Sequence, residues 1–390
     1  MAKVIIRKTS SLSGVVEAPS SKAYTHRAVI AASISNGEST ISRPLVCGDT
    51  EATVNAVQAY GAKVEKGEAE WIVYGTSNLE ITEDVIDCGE SAATMRFITP
   101  ITAHSSGITR LTGGESLRKR PMEPLLVALR QLGVVCYSLD GSGRPPLIVH
   151  GGGIRGGTAS IPGDVSSQFV SGLLFASPLA NGDVELRLLS TLESRSYVEM
   201  TLEVLEDHQV IVRSLPDMRN FFIPSKQRPK PSNTIIPGDY SSAAFLLAAA
   251  AVTTSKVTVA NLESRSLQGD RAIVEILTKM GAHLKVREEC VELEGTGSLE
   301  AAQLDARNVP DLAPVCAVLG CYAKGRTVIQ NAKRLRIKES DRIESLVTEL
   351  NRMSAKVTAV GDDIMVEGPC KLRGALIDSR GDHRIAMACA

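Results

Sequence analysis

The strongest constraint on this chain is that it repeats itself. Openings rich in small or polar residues recur at Pro19-Ser20-Ser21-Lys22, Cys88-Gly89-Glu90-Ser91, Pro162-Gly163-Asp164-Val165-Ser166-Ser167, Pro237-Gly238-Asp239-Tyr240-Ser241-Ser242, Asn308-Val309-Pro310-Asp311 and Gly381-Asp382-His383-Arg384. They fall about 70 residues apart, which marks one supersecondary unit written several times. The third and fourth are the nearest pair, and each leads to a Glu-Ser-Arg, at Glu193-Ser194-Arg195 and Glu263-Ser264-Arg265.

Between openings the order is constant: a helix of small residues, a short strand, a charged loop, an amphipathic helix, a glycine turn and a strand. In the fourth unit, residues 245–252 read as the small-residue helix and Val257-Thr258-Val259 as the strand. Ile273, Ile276, Leu277 and Met280 then mark the second helix, ended by Gly281 and followed by the strand Leu284-Lys285-Val286. Alternating helix and strand makes the class α/β. Helices of Ala, Ser and Thr can lie close together, so a buried helical layer covered by sheets is expected.

Six units divide into two groups of three, and 390 residues exceed what one core usually serves. The expected domains are residues 20–236, and residues 1–19 with 237–390. One crossing is expected near residues 19–21. The other falls within 226–237, where Lys226, Arg228, Pro229, Lys230 and Pro231 form a stiff polar connector. The last unit is incomplete. It opens at Asp378 and stops at Ala390 inside an apolar run, so a chain cut short by roughly forty residues is expected on the repeat logic.

Lys and Arg number 43 against 44 Asp and Glu, a net charge of −1, which removes the field that non-specific nucleic-acid binding needs. Any anion must be met by locally gathered cations. The eight cysteines are scattered without metal-site spacing, and reduced thiols in a cytoplasm fit them best. The chain begins on a strand-like Val4-Ile5-Ile6 with no apolar signal segment, and no run reaches membrane-spanning length. A cytoplasmic monomer without nucleic-acid or membrane partners is expected.

One stretch concentrates charge. Arg334-Leu335-Arg336 and Lys338-Glu339-Ser340-Asp341-Arg342 lead into Ile343, Leu346, Val347 and Leu350, which share one helix face. A helix N-terminus carrying Lys338 and Arg342 prefers an anion. Glu339 lies between those cations, where a carboxylate is poised to move a proton. The plainer alternative is a surface cap with exposed ion pairs. Other openings carry similar groups. Lys22 and Arg27 flank the first small-residue helix behind Ser20 and Ser21, and Arg96 stands one turn into the second. Arg118, Lys119 and Arg120 precede Pro121, read as the first position of another helix. Ser166, Ser167 and Gln168 head the third, with Ser194 and Tyr197 on its partner, and Arg384 heads another. Taken singly, a Ser pair is usually a cap, a first-turn Arg is usually solvated, Asp311 after Pro310 fits a plain N-cap, and His383 fits a structural hydrogen bonder. Recurrence at one place in every unit favours a shared anion-binding cleft between the domains.

Read together, Ser21-Lys22 with Arg27, Ser166-Ser167-Gln168, Asp311, Lys338 to Arg342 and Asp382-His383-Arg384 resemble the enolpyruvyl transferase family, in its branch of 5-enolpyruvylshikimate-3-phosphate synthases. The likeness runs from about residue 14 to the last residue. It implies two domains, each of three β-α-β-α-β-β units in pseudo-threefold array around buried helices, with the last unit here incomplete. The implied reaction moves the enolpyruvyl group of phosphoenolpyruvate onto the 5-hydroxyl of shikimate 3-phosphate by addition and elimination, without metal or organic cofactor. Residues 20–236 would then be the shikimate-3-phosphate-binding domain. By resemblance Lys22, Arg27, Ser166, Ser167, Gln168, Ser194, Tyr197, Asp311 and Lys338 hold shikimate 3-phosphate, and Lys22, Ala92, Arg120, Gln168, Arg342 and Arg384 hold phosphoenolpyruvate. Lys22, Asp311, Lys338 and Glu339 form the catalytic set. Asp311 takes the hydroxyl proton, with Lys338 as a second candidate, and Glu339 protonates the methylene carbon.

The chain departs from the family in places. Ala23 replaces a serine that touches shikimate, a hydrogen bond worth about 1 kcal/mol. Arg334 stands where some members have Asn. Ala92 stands where glyphosate-sensitive members have Gly, so weak inhibition is expected. The family's late phosphoenolpyruvate-binding Lys would fall beyond Ala390. The sister transferase acting on UDP-N-acetylglucosamine usually has a Cys in the loop that here reads Leu117-Arg118-Lys119-Arg120-Pro121, which has none. A non-catalytic anion-binding repeat protein is the alternative of another class.

Overall fold

The repeat becomes geometry in the computed structural model, which describes residues 3–76 and 78–390. The chain forms two compact units, Ser20–Ile236, and Met1–Pro19 with Pro237–Ala390, each around its own apolar core.

Every complete repeat builds a small sheet of one design. In the Ser20–Ile236 unit, strand Val85–Asp87 runs parallel to Ile108–Thr112, which pairs antiparallel with Leu147–His150, which pairs antiparallel with Cys136–Ser138. Gly157–Ile161, Val184–Leu188, Asn220–Ile223 and Arg213–Ser214 repeat that order. Gly37–Ser42, Glu70–Gly75 and Lys63–Lys66 repeat it again, but their parallel edge strand, Thr234–Ile235, comes from the far end of the unit. A parallel neighbour must arrive by a crossover rather than a hairpin, which frees it to come from distant sequence. The other unit mirrors this exchange. Ser13–Glu17 lies parallel to Lys256–Ala260, which continues into Cys290–Glu294 and His283–Val286. Leu299–Glu300 and Gln303–Asp305 lie parallel to the start and the end of Ala323–Gln330, which pairs antiparallel with Asp363–Gly368, which pairs antiparallel with Val357–Val360. The architecture is thus two pseudo-symmetric α/β domains of repeated β-α-β-α-β-β units.

The first helix of each repeat is the buried one. Lys22–Ser33, Ala92–Thr102 and Ser167–Ala176 start behind Ser21, Ser91 and Ser166, each of whose hydroxyls accepts a first-turn N–H. In the second unit, Asp239 and Asp382 cap Tyr240–Ala251 and His383–Ala388, while Ala313–Tyr322 follows the 3-10 turn Pro310–Leu312. Small residues let these helices touch. At Gly172 a Cβ would lie 2.2 Å from the Arg96 carbonyl oxygen, so the backbones of two buried helices meet there with no room for a methyl.

Three local expectations change. Val4, Ile5 and Ile6 are exposed and form no strand, because the Lys256–Ala260 partner begins only opposite Ser13. Pro121 does not open a helix. The helix is Glu123–Gln131 with Met122 at its N-cap and Pro124 in its first turn, since Met122 and Glu123 both donate to the Gly143 carbonyl. The connector at 226–237 is tied down before it crosses. Lys230 donates to the His208 carbonyl, Ser232 donates to Ser39 Oγ, and Thr234–Ile235 joins the sheet. Among the described residues no helix is long and apolar enough to cross a membrane.

Substituting Gly172→Ala should destabilise the Ser20–Ile236 unit by about 1–3 kcal/mol, because the added methyl forces two helices apart. Denaturant unfolding followed by circular dichroism checks it, and an unchanged midpoint would contradict the packing described.

Candidate functional site

The helix Arg342–Arg352 buries Ile343, Leu346 and Leu350, and that inward face carries Arg342 with it to 1% exposure. A guanidinium taken out of water needs paired acceptors. Arg342 Nη1 donates to Asp311 at 2.7 Å, Nη2 to Glu339 at 2.6 Å, and Nε to Asp382 at 2.8 Å. Burial alone would lower its pKa, but Glu339, Asp311 and Asp382 outweigh burial and raise it.

Asp311 is the second node. Lys338 Nζ approaches its Oδ1 at 3.3 Å and Arg384 Nη2 its Oδ2 at 3.3 Å. Burial pushes this carboxyl up, yet Arg384, Lys338 and Arg342 together hold it well below the usual carboxylate range. Lys338 moves the other way for an amine. Burial lowers its pKa against the pull of Asp311, with Arg342 and Arg334 adding to the fall. Asp382 is fully buried. It caps the Arg384 N–H at 2.9 Å, accepts from Ser340 at 3.1 Å and pairs with Arg342, so one side chain registers two helix N-termini. Sequence reasoning places Lys338, Glu339, Arg342, Arg384 and Asp311 in the candidate set, and the fold brings these five together.

In the Ser20–Ile236 unit Arg27 and Arg96 meet neutral acceptors, while Lys22 meets a carboxylate. Ser166 caps its helix and also accepts from Arg96 Nη1 at 3.2 Å, and Gln168 accepts from the same nitrogen at 2.9 Å. Arg96 lies over the Phe169 ring at 5.0 Å. Ser194, 1% exposed, takes left-handed φ of 53° as it leads into Arg195–Asp207, the helix that carries Tyr197. Arg27 does not flank its helix. It lies within Lys22–Ser33, buried, donating to Thr201 Oγ1 and to the carbonyls of Ala23 and Tyr197, between Phe97 and Tyr197. A long side chain on the inner face reaches across to the neighbouring helix rather than toward the cap. Burial lowers its pKa to about 10. Lys22 pairs with Asp49 at 2.8 Å. Ala92 opens its helix directly behind the Ser91 cap, and Arg120 is buried after the short helix Glu115–Arg118.

Reading the sequence missed four contributors. In the sequence Arg96 reads only as a helix cation. Asp382 reads only as part of a motif. Asp49 and Asp270 carried no local signal, since an acid in a loop or first turn is ordinary until the fold brings a cation to it.

Chemically, one unit holds carboxylates and an amine of altered basicity among cations, which suits proton movement beside an anion. The other presents hydroxyls, an amide and guanidinium groups, which suits binding a polar, negatively charged ligand.

Residues 6–390 match the family described as EPSP synthase (3-phosphoshikimate 1-carboxyvinyltransferase). The 3-phosphoshikimate 1-carboxyvinyltransferase of Methanococcus maripaludis strain DSM 14266 is 39% identical over 388 residues, covering 99% of this chain and 90% of that protein. The Methanothermobacter thermautotrophicus protein of the same description is 43% identical over 389 residues, covering 98% and 90%. The solved EPSP synthase from Acinetobacter baumannii superposes with a TM-score of 0.80 at 26% identity, covering 98% of this chain and 89% of that one. A match this long, at this identity and on this repeat architecture, means that the chain belongs to the EPSP synthase family.

Proposed function

We propose that this chain transfers the enolpyruvyl group of phosphoenolpyruvate to the 5-hydroxyl of shikimate 3-phosphate and releases phosphate, with Arg342 as the switch that couples donor binding to chemistry. The carrying observation is that Arg342, buried, is held by three carboxylates, two of which are the candidate base and acid. An incoming anion competes with them for one guanidinium. As phosphoenolpyruvate takes donors from Arg342 and Arg384, Asp311 loses the contacts that hold its pKa down and becomes a better base. Glu339, released from Arg342 beside a new negative charge, can take up the proton it must later give.

The steps then follow from the chemistry. Asp311 accepts the 5-hydroxyl proton, with Lys338 beside it as the second candidate. The oxygen attacks the enol carbon while Glu339 protonates the methylene, giving a tetrahedral intermediate. Glu339, left as a carboxylate, takes a proton back from the new methyl as phosphate departs and the double bond re-forms, the leaving charge being met by Lys22, Arg120, Arg342 and Arg384 with Gln168. Ser166, Ser167, Gln168, Ser194 and Tyr197 bind shikimate 3-phosphate, with Lys22, Asp311 and Lys338 at its reacting end. Arg27, whose donors reach protein oxygens, serves by fixing the Tyr197 backbone. The Ser20–Ile236 unit is accordingly the shikimate-3-phosphate-binding domain. Eight free thiols support a reducing, cytoplasmic setting.

Phosphate release from phosphoenolpyruvate should be detected with shikimate 3-phosphate and not with UDP-N-acetylglucosamine. The reverse preference would move the chain to the sister reaction, and turnover with neither would favour a binding protein. Glu339→Gln should lower kcat about 10²–10⁴-fold, the usual worth of a general acid, while the Kd of phosphoenolpyruvate does not weaken, because one carboxylate competing for Arg342 is gone. Intact turnover would remove Glu339 from the mechanism. Ala92, 6% exposed at the helix start, leaves a methyl where glyphosate-sensitive relatives have none. Inhibition by glyphosate should therefore be weak and should tighten in Ala92→Gly, as read from inhibition constants against phosphoenolpyruvate.

A further inference from the structure

The mechanism above leaves one buried acid beside the site without a task. Asp270 lies in the 3-10 turn Gly269–Ala272, 1% exposed, on a segment remote in sequence from Asp311 and Arg384. Its Oδ2 accepts from the Ser241 hydroxyl, while its Oδ1 is buried with no hydrogen-bond partner. Arg384 shows the matching feature. Its Nη2 reaches Asp311 at 3.3 Å, and its Nη1 is buried without a partner. The groups facing Asp270 are Asp311 from the Pro310–Leu312 turn, Arg384 from His383–Ala388, Ser241 and the capping Asp239 from the start of Tyr240–Ala251, and the Cys316 thiol from Ala313–Tyr322. One guanidinium thus stands before three carboxyls and bonds directly to only one.

Such a cluster is poorly arranged to accept an anion while every carboxyl is ionised. A buried acid beside other acids relieves the excess charge by keeping its proton. Burial first, then the Asp311 charge, push the Asp270 carboxyl up to about 7, with Arg384 and Ser241 pulling against them.

We propose that Asp270 is a positioning residue that carries the proton required for phosphoenolpyruvate to bind at Arg384: the donor anion binds the form of the site in which Asp270 is neutral. The inference rests on the reading of Arg384 as a phosphoenolpyruvate ligand. An anion on Arg384 adds negative charge beside Asp270 and draws off its guanidinium, and both effects raise its pKa further. Below about pH 7 the acid is already neutral, so binding draws in no proton there. Above that pH Asp270 is ionised in the free protein, and binding must bring a proton with it. Affinity therefore falls as pH rises, by at most about tenfold per pH unit for a single proton.

The test is calorimetric titration of phosphoenolpyruvate, with shikimate 3-phosphate saturating, in buffers of different ionisation enthalpy. At about pH 8 the donor's phosphate, with a second pKa of about 6, is already a dianion and takes up little proton itself. The wild-type protein should take up nearly one proton more than Asp270→Asn. Its Kd should weaken up to about tenfold between about pH 7 and about pH 8, while the variant stays near the wild-type value at the lower pH. Equal proton uptake and equal pH slopes in the two proteins overturn the proposal. Should the variant fail to fold, the titration of Glu339→Gln decides instead, since it removes the other carboxyl expected to take up a proton, and zero net uptake at about pH 8 is equally fatal. Tight donor binding with no variant effect overturns the Asp270 role only. Absence of donor binding to the wild-type protein at every pH, or full affinity in Arg384→Gln, overturns the functional reading itself.

Discussion

A guanidinium buried to 1% exposure cannot be solvated by water, so its counter-charges must come from the fold, and at Arg342 they come from three separate places. Asp311 arrives on the turn ahead of one buried helix, Asp382 caps a second, and Glu339 precedes the helix that carries Arg342 itself. Desolvation of such a group costs several kcal/mol and is offset only when each N–H finds an oxygen at close range. The requirement therefore registers three helix N-termini to within a hydrogen-bond length. Asp311 and Asp382 stand at the openings of two successive repeats, and Arg342 heads the second helix of the repeat that Asp311 opens.

The two units treat their cations differently. In Ser20–Ile236, Arg27 and Arg96 are matched to carbonyls, hydroxyls and an amide, none of which changes charge near neutral pH. Those pairings fix shape. In the other unit the partners of Arg342, Lys338 and Arg384 are carboxylates, so moving a cation toward a ligand alters the proton affinity of what it leaves behind. The contrast lies in the kind of acceptor these cations have: neutral for Arg27 and Arg96, ionisable for Arg342, Lys338 and Arg384.

Much of this was legible in the sequence because repeats and capping are local. The opening before Ser21, Ser91 and Ser166 predicts a helix start, and each of those hydroxyls does accept a first-turn N–H. The spacing of Ile343, Leu346 and Leu350 fixes which face of the last long helix is buried. What was not legible depends on partners from far along the chain. Nothing near Thr234 says that it will complete the sheet begun at Gly37, or near Val4 that its neighbours lack a strand to pair with. Pro121 misled because a proline before a helix is common, while the actual start was set by the Gly143 carbonyl across a loop. Arg27 misled for the opposite reason. Its place in the sequence is next to the cap, but its length and inward direction take it to Thr201 and the Tyr197 carbonyl.

The same logic explains why acids rather than hydroxyls line the second unit. A serine facing Arg342 would satisfy an N–H and leave the guanidinium charge uncompensated, raising the cost of burial without any anion bound. Carboxylates compensate the charge when the site is empty and can be exchanged for a ligand's oxygens when it is filled, because both are anions competing for one planar set of donors. A carboxylate displaced from a guanidinium in such an exchange would return to a higher proton affinity. A buried ion cluster that adds little to stability on its own terms is in this way suited to sense an anion and answer with a proton.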